Sequence, residues 1–260
     1  MKLPIFQADA FASSLYKGNP AAVVPLKQWL PDLTMQQIAA ENNLSETSFF
    51  IPEGDHFHLR WFTPKAEVNL CGHATLATAH VLFNELDYNG STLLFNSRSG
   101  MLTVRIMEDK LQLDFPADFV QPIELNPVFA DALGIAPIVA FKGRTDYLLL
   151  FESQEMIQNM MPNFHLLKQT DARGVIVTAA GKEVDFVSRF YAPGVGIDED
   201  PVTGSAHTLL VPFWAARLHK TEMNAQQLSG RGGQLWCTLA DDRVLIAGKA
   251  VTYLRGEIEI

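Results

Sequence analysis

The sequence predicts an α+β protein of two pseudo-symmetric halves, each a curled mixed β-sheet around a central helix. Three observations predict it. Two tracts of the chain match in order at a near-constant offset, the signature of an internal repeat. In each tract a glycine opens a helix that is apolar almost all round. Short segments with the two-residue period of a strand flank both helices.

Each copy begins with a strand that runs into a proline. His56-Phe57-His58-Leu59 leads into Arg60-Trp61-Phe62-Thr63-Pro64, and Val184-Asp185-Phe186-Val187 leads into Arg189-Phe190-Tyr191-Ala192-Pro193. The helices follow at Gly72-His73-Ala74-Thr75-Leu76-Ala77 and Gly204-Ser205-Ala206-His207-Thr208-Leu209. Ser97-Arg98-Ser99-Gly100-Met101-Leu102 is then echoed by Gly230-Arg231-Gly232-Gly233-Gln234-Leu235. Both precede strand-like runs, Thr103 to Ile106 and Trp236 to Leu239, which end in the hairpin turns Glu108-Asp109-Lys110 and Asp241-Asp242-Arg243. Arg60 to Arg189 spans 129 residues and Arg98 to Arg231 spans 133. One matching tripeptide is chance; several ordered matches at nearly one offset are a duplication.

The central helices are predicted over about Gly72 to Leu86 and Gly204 to Leu218. With no polar face they belong in the interior, and a sheet curled around each would bury them. A smaller helix precedes Glu46. Thr34-Met35-Gln36-Gln37 has the Thr-x-x-Gln form of a capping box and starts it; Asn42-Asn43 ends it. Pro116, Pro122 and Pro127 interrupt the periodicity and mark the boundary. The expected organisation is residues 1–117 as the first half and 118–249 as the second, with a C-terminal strand over 250–260 that returns to the first half.

Composition narrows the function. Of 260 residues 48% are hydrophobic, too many for disorder. The net charge is −9 and no two Lys or Arg residues are adjacent, so the basic stripe of a nucleic-acid binder is missing. A small anionic substrate stays compatible, because binding depends on local groups. The opening MKLPIFQADAF, interrupted by Asp9, reads as neither signal peptide nor membrane span. Two cysteines, Cys71 and Cys237, make no secreted disulfide framework; a reduced, cytoplasmic protein is the expectation.

Three segments carry candidate chemistry. In Asn43-Leu44-Ser45-Glu46-Thr47-Ser48 the carboxylate sits between a helix end and an apolar strand, where partial burial makes a glutamate a better general base; it also reads as a solvated turn residue or a cap. In Val68-Asn69-Leu70-Cys71-Gly72-His73 the glycine admits a ligand close to the backbone. The free amides of the helix start suit a carboxylate or developing negative charge, and His73 is placed to shuttle a proton. The same residues also read as a cap with a satisfied histidine, and Cys71 as either a nucleophile or a small buried apolar residue. In Asp198-Glu199-Asp200-Pro201-Val202-Thr203-Gly204-Ser205 three acids precede the second helix, where favourable surface placement on the helix dipole also explains Asp198 and Glu199. Gly204 and Ser205 mirror Gly72 and His73.

Other chemistries lack their spacing. Cys71, His73, His80 and His207 are candidate metal ligands, but no CxxC, HExxH or EF-hand pattern holds them, and no metal is expected. There is no phosphate loop, no GxGxxG after a strand and no Gly-x-Ser-x-Gly elbow.

On these residues the chain resembles the PhzF-like, or phenazine biosynthesis-like, isomerase family. The matching stretches are Gly18-Asn19-Pro20-Ala21-Ala22-Val23-Val24, Leu44-Ser45-Glu46-Thr47, Cys71-Gly72-His73-Ala74-Thr75, Asp200-Pro201-Val202-Thr203-Gly204-Ser205-Ala206 and Ser229-Gly230-Arg231-Gly232-Gly233. Phe119 to Asp171 resembles the family least. The resemblance implies the diaminopimelate-epimerase-like fold and a cofactor-free, metal-free isomerase with its site between the halves. The best-known member isomerises trans-2,3-dihydro-3-hydroxyanthranilate. It further implies Glu46 as the proton-shuttling base, His73 and Asp200 assisting it, and Asn19, Gly72, Gly204 and Ser205 holding the substrate. A homodimer is implied as well.

One departure matters. Epimerases of this fold use a cysteine at each helix start; here the first is Cys71 but its mirror is Thr203, whose hydroxyl is far too weak an acid for that role. A single carboxylate that lifts a proton from one carbon and returns it at another fits better. Two other readings remain in view: a non-catalytic small-molecule or protein-binding module on the same fold, and a Cys71-dependent epimerase.

Overall fold

The computed structural model describes residues 1–260. The chain divides into two units, Met1–Asp114 with Ala247–Ile260, and Phe115–Ile246. The first holds β1 (Lys2–Ala10), β2 (Asn19–Pro25), α1 (Asp32–Asn42), β3 (Glu46–Glu53), β4 (His56–Phe62), β5 (Glu67–Val68), α2 (Gly72–Asn84), β6 (Thr92–Ser97), β7 (Gly100–Met107) and the start of β8 (Lys110–Pro116). The second holds the end of β8, β9 (Gln121–Ile123), α3 (Pro127–Leu133), β10 (Val139–Lys142), β11 (Asp146–Leu150), α4 (Gln154–Asn159), α5 (Phe164–Leu167), β12 (Gly174–Ala180), β13 (Phe186–Tyr191), α6 (Gly204–Leu218), β14 (Glu222–Gln227), β15 (Gly233–Ala240) and all but the last two residues of β16 (Arg243–Gly248). The last strand, β17 (Ala250–Glu259), pairs antiparallel with β1.

The duplication read from the sequence is a duplication of pairing. In the first unit β1–β2 is antiparallel, β2–β3 parallel, β3–β4 antiparallel, β4–β6 parallel and β6–β7 antiparallel. In the second, β10–β11, β11–β12, β12–β13, β13–β14 and β14–β15 repeat that order of directions. Each sheet is therefore mixed. The turns expected after β7 and β15 are there, each with its first acid in the left-handed region, Glu108 at φ 57° and Asp241 at φ 54°. Aspartate tolerates that conformation better than most residues, because its short side chain can hydrogen-bond locally.

Both central helices are buried. In α2 every residue from His73 to Ala79 is buried, with Val81 and Leu82. It ends at Asn84, two residues short of the expected Leu86, as the Leu86 amide turns back to the Val81 carbonyl. In α6, which runs over the expected span, Pro212 withholds the amide that would meet the Thr208 carbonyl. The Asp118 N–H donates to that carbonyl instead, at 3.0 Å, so the interior proline leaves no orphan.

The capping box at Thr34 does not form. The helix begins one turn earlier, at Asp32 after Pro31, and the Thr34 and Met35 amides donate to the Pro31 carbonyl. Proline fixes φ for a helix entrance without a side-chain cap, and Gln36 donates to the Thr63 carbonyl at 2.8 Å. The end at Asn43, in the left-handed conformation, is as expected.

The arginine of each repeat is structural. Arg60 holds Glu67 through two hydrogen bonds of 2.8 and 2.7 Å. Arg189 holds Glu199 at 2.6 and 2.9 Å and donates to the Ile157 and Met160 carbonyls. Each ties its strand to the loop that leads to the central helix. No helix is long and apolar enough to cross a membrane.

Candidate active site

In the first unit the expected residues gather where β2 and β3 begin and α2 starts. Gly18, at φ +67°, precedes Asn19; a Cβ there would sit 2.1 Å from the Ala10 carbonyl oxygen, so only glycine makes this turn. Asn19 then opens β2 with its side chain fully buried. Glu46 opens β3 in parallel register with Ala21 of β2. Cys71 is the extended N-cap of α2, without a side-chain cap hydrogen bond, and Gly72 its first residue.

These positions bring four side chains together. A Glu46 carboxylate oxygen lies 3.1 Å from His73 Nε2. His73 Nδ1 lies 3.1 Å from the Asn19 amide and 3.5 Å from Cys71 Sγ. Glu46 is 8% exposed and His73 5%. The Glu46 Oε2 contact has ion-pair distance without hydrogen-bond alignment. Burial disfavours a charged His73, but the Cys71 sulfur and the Glu46 carboxylate outweigh it and hold the imidazole well above its ordinary pKa. Burial first, then the Glu46 charge, pushes the Cys71 thiol up to about 11. Cys71 is therefore a thiol at neutral pH. The Asn19 amide nitrogen faces His73 Nδ1, which can accept from it as a neutral ring nitrogen; a ring protonated at both nitrogens requires the amide turned over, with its oxygen toward Nδ1.

In the second unit the three acids part company. Asp198 is exposed, Glu199 belongs to Arg189, and only Asp200 is buried. Asp200 accepts from the Thr203 hydroxyl. Thr203 caps α6 without a side-chain bond to the helix, and Gly204 and Ser205 are its first residues. Ser205 Oγ accepts from Arg173 at 3.4 Å.

Two residues that hold this corner were not foreseen. Gln227, fully buried, accepts from the Thr203 amide at 2.9 Å and donates to the Asp200 carbonyl at 2.8 Å. Its sequence signal is a polar residue in the inward phase of β14, after Met223 and Ala225. Arg173 forms a two-pronged bond to the buried Asp146, and nothing local in the sequence marks that pair.

The metal set weighed from the sequence is not the one that assembles. His80 faces Thr252 and Asn84. His207 donates to the Thr203 carbonyl, its pKa lowered to about 4 by burial. Instead Glu46 joins Cys71 and His73, with ligand atoms all within 4.8 Å of one another.

The mixed two-unit fold and the buried carboxylate–imidazole pair at a helix start are features for which comparison gives the family. The model for phenazine biosynthesis-like protein, PhzC-PhzF, matches residues 8–256. A Pseudomonas aeruginosa protein named an uncharacterized isomerase is 50% identical over 260 residues, covering all of both chains. A crystal structure of a PhzF-family protein from Enterococcus faecalis superposes with a TM-score of 0.98 at 48% identity, again covering all of both chains. A predicted epimerase from P. aeruginosa shares the fold, with a TM-score of 0.75 at 19% identity over 98% of this chain and 99% of its own. This chain belongs to the phenazine biosynthesis-like family, whose fold is that of the epimerases.

Proposed function

We propose that this protein is an isomerase that moves one proton between carbons of a small carboxylate-bearing substrate, with Glu46 as general base and then general acid. The observation that carries the reading is the buried Glu46 carboxylate 3.1 Å from His73 Nε2. Glu46 takes the proton from one carbon, leaving an enolate-like anion. The His73 imidazolium and the uncapped amides at the start of α2 offset that charge. The protonated Glu46 then returns the proton to another carbon. In the second unit Asp200 is assigned to assist, and Gly204 and Ser205 to hold the substrate.

The alternative with Cys71 as base has less support. Its thiol is raised to about 11, and its mirror Thr203 is engaged with Asp200. The proposal also includes a homodimer in the cytoplasm, the first part of which sedimentation tests directly.

The test is incubation in D₂O with trans-2,3-dihydro-3-hydroxyanthranilate and a panel of small carboxylates, wild type beside Glu46→Gln, with product and deuterium followed by mass spectrometry. Turnover that needs Glu46 is the expected result. Near-full activity in Glu46→Gln ends this reading, and no exchange on any substrate favours a non-catalytic binding module.

A further inference from the structure

We propose that Glu46, Cys71 and His73 form a binding site for a thiophilic divalent cation, Zn²⁺, whose occupancy shuts off proton transfer. Each supplies one atom of a type zinc takes: a carboxylate oxygen, a sulfur and an imidazole nitrogen. All three atoms lie within 4.8 Å of one another. His73 Nε2 is 3.1 Å from the Glu46 oxygen and 4.0 Å from Cys71 Sγ. With metal bonds of about 2.3 Å to sulfur and about 2.0 Å to nitrogen and oxygen, a tetrahedral centre needs edges of roughly 3.3–3.6 Å. Side-chain shifts of up to about an ångström therefore close the site.

Two further observations point to a ligand there. Glu46 Oε2 is buried and no donor is aligned on it. His73 Nδ1 is already held by Asn19, which leaves Nε2 as the ligating nitrogen. With the Asn19 amide turned so that its oxygen accepts from Nδ1–H, His73 would have the outer partner usual for a zinc-bound histidine. The set is soft: sulfur and imidazole favour zinc over magnesium or calcium, which take oxygen ligands. Ligand-spacing patterns miss it because Glu46 stands far from Cys71 in the chain, and because the extended N-cap conformation, φ −147° and ψ 110°, is what turns Cys71 toward a residue two places on.

The chemistry balances without a redox partner. On binding, the Cys71 Sγ–H and His73 Nε2–H protons pass to solvent, and sulfur, nitrogen and carboxylate lone pairs fill three positions. Water takes the fourth. Glu46, tied to the metal, can no longer accept a proton. Metal binding itself does not rest on the isomerase reading; only its inhibitory effect does.

The test uses the full-length reduced protein and Co²⁺ as a spectroscopic stand-in. The expected result is a near-ultraviolet thiolate-to-cobalt charge-transfer band, with tetrahedral visible bands, that one equivalent of Zn²⁺ abolishes and excess Mg²⁺ or Ca²⁺ does not. Cys71→Ser should lose the charge-transfer band while circular dichroism shows it folded. His73→Ala and Glu46→Gln should weaken Zn²⁺ at least as much as loss of an outer-shell partner, about 10–100-fold. Cys237→Ser, the other buried free thiol, should keep the band. Saturation with cobalt but no thiolate band, a band that survives Cys71→Ser, or one lost in Cys237→Ser overturns the site. Those readouts hold whether or not the protein turns over any substrate in D₂O, so the two proposals fail separately.

Discussion

Glu46 and His73 meet as a buried carboxylate and imidazole, 3.1 Å apart, from the first residue of one strand and the second of a helix. Such a pair works as a unit, because the carboxylate favours the charged form of the ring. Their contributions should be strongly non-additive. Glu46→Gln is expected to lower kcat by about 10²–10⁴-fold, the usual loss for a positioned acid–base. His73→Gln should fall in a similar range, and the double variant should be no worse than the poorer single. Steady-state kinetics on the four proteins of the cycle check this; losses that multiply would show two independent groups.

Cys71 should be dispensable for turnover. A thiol raised to about 11 holds very little thiolate near neutrality, so Cys71→Ala is expected to keep kcat within about tenfold and to leave deuterium incorporation unchanged. A kcat fall of about 10²-fold or more would restore the cysteine as a base.

How much of this was legible in the sequence follows the range of each interaction. The duplication was readable, because strand alternation, the glycine at each helix start and the acids at 108 and 241 are local signals. So were Asn19, Glu46 and His73 as members of one set, though through resemblance rather than spacing. The start of α1 misled because Pro31 and Thr34 both signal a helix entrance, and the proline, three residues upstream, captures the first amides. Gln227 and Arg173 were missed because their bonds span 24 to 32 residues and leave only a faint local trace. The divergence of Asp198, Glu199 and Asp200 is likewise decided by a partner elsewhere, Arg189.

Gln227 should be worth more to stability than its neighbour. It is the partner of the Thr203 amide and of the Asp200 carbonyl. Gln227→Ala leaves those buried groups unpaired, at a cost of about 1–3 kcal/mol. Gln226, which is exposed on the same strand, should change stability by less than about 0.5 kcal/mol when truncated. Urea denaturation measures both, and hydrogen exchange at the Thr203 amide should speed up only in Gln227→Ala.

Asp146 and Arg173 make a prediction with a definite pH sense. Burial raises the Asp146 pKa above the ordinary carboxylate value, the Asp118 charge adds to that, and Arg173 works against both. Arg173→Gln removes the opposing charge and leaves the raising influences in place. A carboxylate whose folded pKa lies above its unfolded one stabilises the fold most when protonated; that advantage is complete below the unfolded value, near 3.8, and is lost as pH rises through the folded value. The variant should therefore lose little in mild acid and most at neutral pH. The Arg173 side chain is 42% exposed, so solvent screens the pair and the neutral-pH loss should sit at or below about 3 kcal/mol, the low end for a broken buried ion pair. Urea midpoints at pH 4.5 and 7.5 decide it. A loss that is equal at both, or larger in acid, would mean that Arg173 acts through packing on Phe190, over whose ring it lies at 5.7 Å, rather than through the Asp146 charge.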